Sequence, residues 1–245
     1  MRGLAINVGA NTNEPGFRAP VDAYGHFDFV PIPEDEPTRE DVHVPTYGEL
    51  DGTLGFDVDV SDVADVPVHL DPEFRDYPFC EGYTYGDPYG AKAGPISELE
   101  AGDFLFFYAT LDTPSEDRPD WQPPRWGAFL VGHFRLARDP LGPEAFAAAG
   151  EPTRAAFANN AHVKRETFDA RVLVQGDAWG SELYNAAVPL SARTAGSEAN
   201  RLVTELSADS GKGPWWRRPL HFDHDATEEL LDVHDTQAWD RCFRA

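Results

Sequence analysis

Two apolar runs near the middle of the chain dominate its hydrophobic pattern. Gly102 to Thr110 reads Gly-Asp-Phe-Leu-Phe-Phe-Tyr-Ala-Thr, and Trp126 to Leu136 reads Trp-Gly-Ala-Phe-Leu-Val-Gly-His-Phe-Arg-Leu. Both are short, rich in aromatic residues and apolar without alternation. This predicts two buried strands covered on both faces. The polar, proline-rich stretch Asp112–Arg125 between them predicts a long hairpin loop. Further strands are expected over 2–8, 26–33, 168–174 and 183–190. Segments 57–60 and 62–66 fit either edge strands or surface loop. Ile96–Leu99 supports one helical turn. Alanine-rich, proline-led segments predict short helices over 143–149 and 151–158. Ser197–Leu206, with Ser197 as cap and Leu202, Val203 and Leu206 on one face, predicts a longer helix, and 226–233 another.

No repeat or clear linker divides the pattern, so the expectation is a single α+β domain over 1–245. Its core would be a mixed, mostly antiparallel central sheet or a partly closed barrel, with short flanking helices and long loops. The 21 Gly and 21 Pro among 245 residues agree with many turns.

Charge changes the setting more than the fold. The net charge is -23, spread along the chain, and the only lysines are Lys92, Lys164 and Lys212. Such a surface resembles those of proteins from salt-loving archaea, where salt screens carboxylate repulsion; the alternative reading is an acidic protein that avoids nucleic acid, and the even spread of charge favours the first. Charge then reports the solvent rather than the ligand. No run is long enough to span a membrane, and the start lacks a signal-peptide pattern, so a cytoplasmic location without membrane partners is expected. Cys80 and Cys242 are expected to be buried thiols rather than a zinc pair or a disulfide.

The standard phosphate-loop, dinucleotide, nucleophile-elbow, zinc-hydrolase and calcium-loop motifs are absent. Five polar clusters carry the candidate chemistry. Arg18, Asp22, Tyr24 and His26 form a charged loop that faces a ligand or satisfies its own backbone. His69 and Asp71 are two apart and would share one side of a strand, which suits proton transfer or ligation of a divalent ion. Asp71 before Pro72 is also cap chemistry. Tyr83 and Tyr85 stand on a Gly-rich aromatic loop that could stack on a base or pack on itself. Asn160, His162, Lys164 and Arg165 form a basic spot suited to base edges and phosphates, although Asn-Asn also ends helices. Trp215 and Arg217, with Arg218, suit stacking and phosphate pairing, or anchor the chain end to the core. The nearby His221, Asp223, His224 and Asp225 superficially resemble a metal cluster without a matching third segment.

Pro20–Gly25 leading to Phe29–Glu34, then Val68–Pro72, Gly102–Phe107, Gly127–Gly132 and Asn160–His162 follow one another in an order that resembles the nucleotide modification associated domain family, third type. That family is recognised near systems that hypermodify DNA bases. Its usual serine-rich loop near the start is replaced here by Asn11–Phe17. The resemblance implies an association with modified nucleotides or nucleic acid and, as partners, proteins of a DNA-modification system. The Gly-Asp-led strand also resembles small modified-base-binding barrels of the pseudouridine-synthase-associated (PUA) and EVE type.

Three functions follow. In the favoured one the protein recognises a modified nucleotide or nucleobase through Arg18, Tyr24, His26, Tyr83, Tyr85, Trp126, Asn160, His162, Lys164, Arg165, Trp215 and Arg217. Tyr108 and His133 are the other contributions expected from the central pair. In the second it is an enzyme acting on a nucleotide or modified base by acid-base chemistry at His69, Asp71 and Asp22, with His162. In the third it is an acidic interaction partner without a small-molecule site. No metal or other cofactor is assigned.

Overall fold

A computed structural model describes residues 1–113 and 118–244 of the chain. In chain order its elements are β1 (Gly3–Asn7), β2 (Ile32–Pro33), α1 (Tyr47–Leu54), β3 (Val68–His69), β4 (Thr84–Asp87), α2 (Gly90–Ser97), β5 (Phe104–Thr113), β6 (Arg125–Arg135), α3 (Pro143–Ala148), α4 (Glu151–Ala156), α5 (Ala161–Lys164), β7 (Val172–Gln175), β8 (Glu182–Pro189), β9 (Leu220–Phe222) and α6 (His224–Thr236). Tertiary contacts divide the chain into two compact units. The first comprises Met1–Val30, Phe104–His133 and Tyr184–Ala245; the second comprises Pro31–Asp103 and Phe134–Leu183.

The first unit carries an open five-stranded sheet in the order β8-β6-β5-β1-β9. The two apolar runs are its neighbouring strands β5 and β6, buried along almost their whole length as their unbroken hydrophobicity requires. Part of the loop between them, residues 114–117, lies outside the described residues. The sheet is mixed: β1 pairs parallel with β5 and antiparallel with β9. Phe104, Phe106 and Tyr108 alternate on one face of β5 and meet Trp215, Leu220, Leu230 and Val233 in the core. α6 supplies the last two of these residues. The Asp223 side chain caps it by accepting from Ala226 N–H at 3.0 Å, and Ala226, Leu230 and Val233 make its buried stripe.

The second unit is built from short pieces. β2 pairs with β3 and β4 with β7, both antiparallel. α1 opens on a capping box between Thr46 and Glu49 and closes on Gly55 in the left-handed region (φ 67°). The 26–33 expectation shrinks to Ile32–Pro33, and the acidic 57–66 segment is loop around one 3-10 turn, Ser61–Val63.

Two expectations need correction. The sheets do not close into a barrel among the described residues, so the likeness to PUA/EVE-type barrels has no support here. The helix expected over 197–206 contracts to a single π-helical turn at Leu202–Leu206. Tertiary and side-chain bonds claim the rest of that backbone. Ser197 C=O accepts the Trp215 indole N–H at 3.0 Å, and Asn200 Oδ1 accepts Leu202 N–H at 2.9 Å. Among the described residues, no helix is long and apolar enough to cross a membrane.

Candidate functional site

In the second unit the structure gathers His69, Asp71 and His162 into one buried cluster. β3 ends on His69, and the chain turns through a cis Asp71–Pro72 bond. His162 comes from α5, where the Asn160 side chain accepts the His162 N–H at 3.1 Å and fixes the first turn. The two imidazoles meet edge to face with centroids 4.8 Å apart. Donor atoms of the three side chains all lie within 4.8 Å of one another.

Each imidazole is held from behind. His69 Nδ1–H donates to Glu34 Oε2 at 2.6 Å, and His162 Nδ1–H donates to Asp169 Oδ1 at 2.7 Å. A carboxylate only accepts, so Nδ1 carries a proton in both rings; in the neutral form of each imidazole the lone pair is then on Nε2, which faces inward. Arg165 locks the two carboxylates together. Its Nε and Nη2 donate to Glu34 Oε1 at 3.1 and 2.7 Å, and its Nη1 donates to Asp169 Oδ2 at 2.5 Å. Burial opposes the ionisation of Glu34, but His69 and Arg165 outweigh it and bring its pKa down to about 2.

Asp71 faces the inward nitrogens. Its Oδ2 lies 3.9 Å from His69 Nε2 and 3.6 Å from His162 Nε2. Gly86 N–H donates to both of its oxygens at 3.0 Å, and Asn160 Nδ2 donates to Oδ1 at 3.0 Å. Burial works against charging His162, yet Asp71 and Asp169 raise its pKa above the ordinary imidazole value. The cluster therefore draws positive charge to its centre.

A second layer continues the network. Asn160 Nδ2 also donates to Thr84 Oγ1 at 3.1 Å, and Thr84 Oγ1 donates to Glu73 Oε2 at 2.7 Å. Glu73 Oε1 accepts from Glu81 N–H, Gly82 N–H and Asn159 Nδ2. Tyr85 O–H donates to Asp87 at 2.8 Å, and Lys92 Nζ stands 3.9 Å from the same carboxylate. Burial raises the pKa of Asp87 and lowers that of Lys92.

Beside this network lies an open cleft of about 540 Å³, lined among others by His43, Phe79, Cys80, Asn159 and Lys164. The His43 and Phe79 rings stand 5.6 Å apart. Burial lowers the Lys164 pKa although Glu73 and Glu81 oppose it. α5 connects cleft and cluster: it carries Lys164 to the first and His162 to the second.

The other candidates are placed differently. Tyr83 and Tyr85 are buried, Tyr83 edge-on to Phe134 with centroids 5.6 Å apart. Asp22 belongs to the first unit, where its side chain accepts from Tyr24 and His26 N–H and pairs with the His26 ring at 3.0 Å. Tyr24 is exposed there. Arg18 lies 4.6 Å over the Trp126 ring and 3.4 Å from Asp112, and Trp126 meets Trp216 at 5.3 Å. Trp215 is fully buried, Arg217 is exposed, and Arg218 pairs with Asp209 at 2.8 Å. Tyr108 O–H donates to Arg218 C=O, and His133 contacts Tyr184 O–H at 3.0 Å. Asp223 caps α6, while His224, Asp225 and Glu228 form an exposed group on its first turns.

Glu34, Asp169, Glu73 and Lys92 were not singled out by sequence reasoning as site residues. Glu34 falls inside the Phe29–Glu34 motif, which is the one signal that pointed towards it.

A family model described as nucleotide modification associated domain 3 matches residues 2–232. No curated protein and no solved structure matches the chain.

Proposed function

The chain belongs to the nucleotide modification associated domain 3 family, and from that premise we propose that it is an enzyme of a nucleic-acid modification system, acting on a nucleotide or modified base. One observation carries the reading: His69, Asp71 and His162 converge in a buried cluster whose imidazoles are each oriented by a carboxylate. Purely structural polar residues have no need of two matched His–carboxylate pairs aimed at one point. That arrangement suits acid-base chemistry at one point, where the two Nε2 atoms and Asp71 hold a proton or other cation while the carboxylates behind steady the imidazoles. The cleft volume falls in the range of small-ligand sites, and we assign the nucleotide to it, with Phe79 and His43 beside the base and Lys164 near phosphate. Spread acidity supports a cytoplasm of high salt as the setting.

The test is turnover of a panel of canonical and modified nucleotides and short duplexes, followed by mass spectrometry in molar salt. His69→Ala and His162→Ala should each lower turnover by about 100-fold or more. Full turnover in both variants would overturn the assignment.

A second reading, recognition of a modified base without reaction, draws on the exposed Phe79 ring in the cleft. It requires binding of modified over unmodified oligonucleotides that Phe79→Ala abolishes while both histidine variants retain it.

A further inference from the structure

We propose that His69, Asp71 and His162 are the protein ligands of one divalent transition-metal ion. The inference deepens the enzymatic reading and rests on it for the purpose of the ion, not for its binding.

Three observations converge. Two Nε2 atoms, each bearing a lone pair when its ring is neutral, and a carboxylate oxygen face one another in a site where the three side chains are all buried. Without a cation between them such donors repel. A proton alone would draw them to hydrogen-bond length, about 2.7–3.2 Å. The observed Asp71 separations are longer, 3.6 and 3.9 Å. An ion bound at about 2.0–2.1 Å in tetrahedral geometry sets its donors roughly 3.4 Å apart, near the two Asp71 separations, and all three donors already lie within 4.8 Å of one another.

The outer contacts have the form expected behind a metal. Imidazole ligands commonly donate their second N–H to a carboxylate, which fixes the ring and strengthens the donor. Both imidazoles do so here, to Glu34 and Asp169. Among the groups that touch the imidazoles, three carboxylates (Asp71, Glu34, Asp169) face one guanidinium, Arg165. Two negative charges remain, which a dication balances. Two imidazoles with one carboxylate favour the zinc and iron class over magnesium or calcium. With three protein donors the ion keeps a position for water or substrate.

The experiment uses the full chain, stripped with chelator and titrated with Zn²⁺ by calorimetry and with Co²⁺ by visible absorption, in molar NaCl. That salt suppresses loose binding to the acidic surface. One equivalent per chain and d–d bands of a nitrogen/oxygen site are expected. His162→Gln and His69→Gln should weaken affinity at least 100-fold. Glu34→Gln and Asp169→Asn, which leave all three ligands in place, should weaken it about 10–100-fold. His224→Ala, in the exposed group, should change nothing. A folded, stripped chain that takes up no stoichiometric ion overturns the proposal, as does unchanged affinity in both histidine variants. Stoichiometric uptake without turnover upholds the ion and removes the enzymatic reading. Turnover by a chain that takes up no ion overturns the ion and leaves that reading standing.

Discussion

Gly86 lies so close to His162 that a Cβ on residue 86 would stand 2.5 Å from His162 Cδ2. Its N–H also donates to both oxygens of Asp71. One residue therefore positions two members of the cluster, one by hydrogen bonding and one by having no side chain. Gly86→Ala should swing the His162 ring away while β4 stays paired to β7. Metal affinity and turnover should each fall at least tenfold, with little change in far-ultraviolet circular dichroism. A variant that keeps both would show that the contact does not set the ring.

Arg165 holds Glu34 and Asp169 together. The Glu34 side chain is 2% exposed, so removing the guanidinium leaves a buried carboxylate with the His69 ring N–H as its remaining side-chain partner across the cluster. Arg165→Met should cost about 3–5 kcal/mol, which lowers the melting temperature by roughly 10 °C in a chain of this size. Arg165→Lys, a point charge without the fork, should recover only part of this. Thermal unfolding of both variants checks the order.

Asp87 provides a pH test away from the cluster's own ligands. Its folded pKa is raised above the ordinary 3.8, chiefly by burial. The fold thus prefers the protonated form. Stability from this preference is fully present below the unfolded pKa and is lost as pH rises through the folded value. Asp87→Asn, a fixed neutral mimic, should gain stability relative to the native chain as pH rises above 3.8. Urea unfolding of the two proteins across that range measures the difference, and a constant difference would contradict the assignment.

Burial pushes the thiols of Cys80 and Cys242 up to about 12. Cys80 nevertheless lines the open cleft. At pH 8 the thiolate fraction of each should be about a thousandfold below that of a free cysteine. Iodoacetamide should leave both unmodified in the folded chain and label both in urea, as intact mass would show. Rapid labelling of Cys80 alone would mean that the cleft wall opens readily.

The sequence-derived reading succeeded where the information was local. β5 and β6 were legible because their apolar character is unbroken, and α6 because Leu230 and Val233 recur at helical spacing. His69 and Asp71 stood out because they are two residues apart. The partners that define the cluster are not local: Glu34 meets His69 across 35 positions and Arg165 across 131. No periodicity encodes such a pairing. Arg165 looked like a phosphate ligand because its charge is visible in sequence and its neutralisation by two carboxylates is not. The Tyr83–Tyr85 segment looked like a loop because of its glycines. In the structure Gly86 sits inside β4, where it makes room for an imidazole.

The 131 positions between Glu34 and Arg165 also bear on synthesis. A chain growing from its amino end displays Glu34, His69 and Asp71 long before His162, Arg165 and Asp169 exist. Until then these carboxylates have neither their guanidinium nor the second imidazole, and burying them is unfavourable. Closure of the cluster therefore comes late, after both halves of the network exist. A ribosome-stalled chain ending before residue 160 should be unable to assemble it, so an occupied centre would report that translation has passed His162.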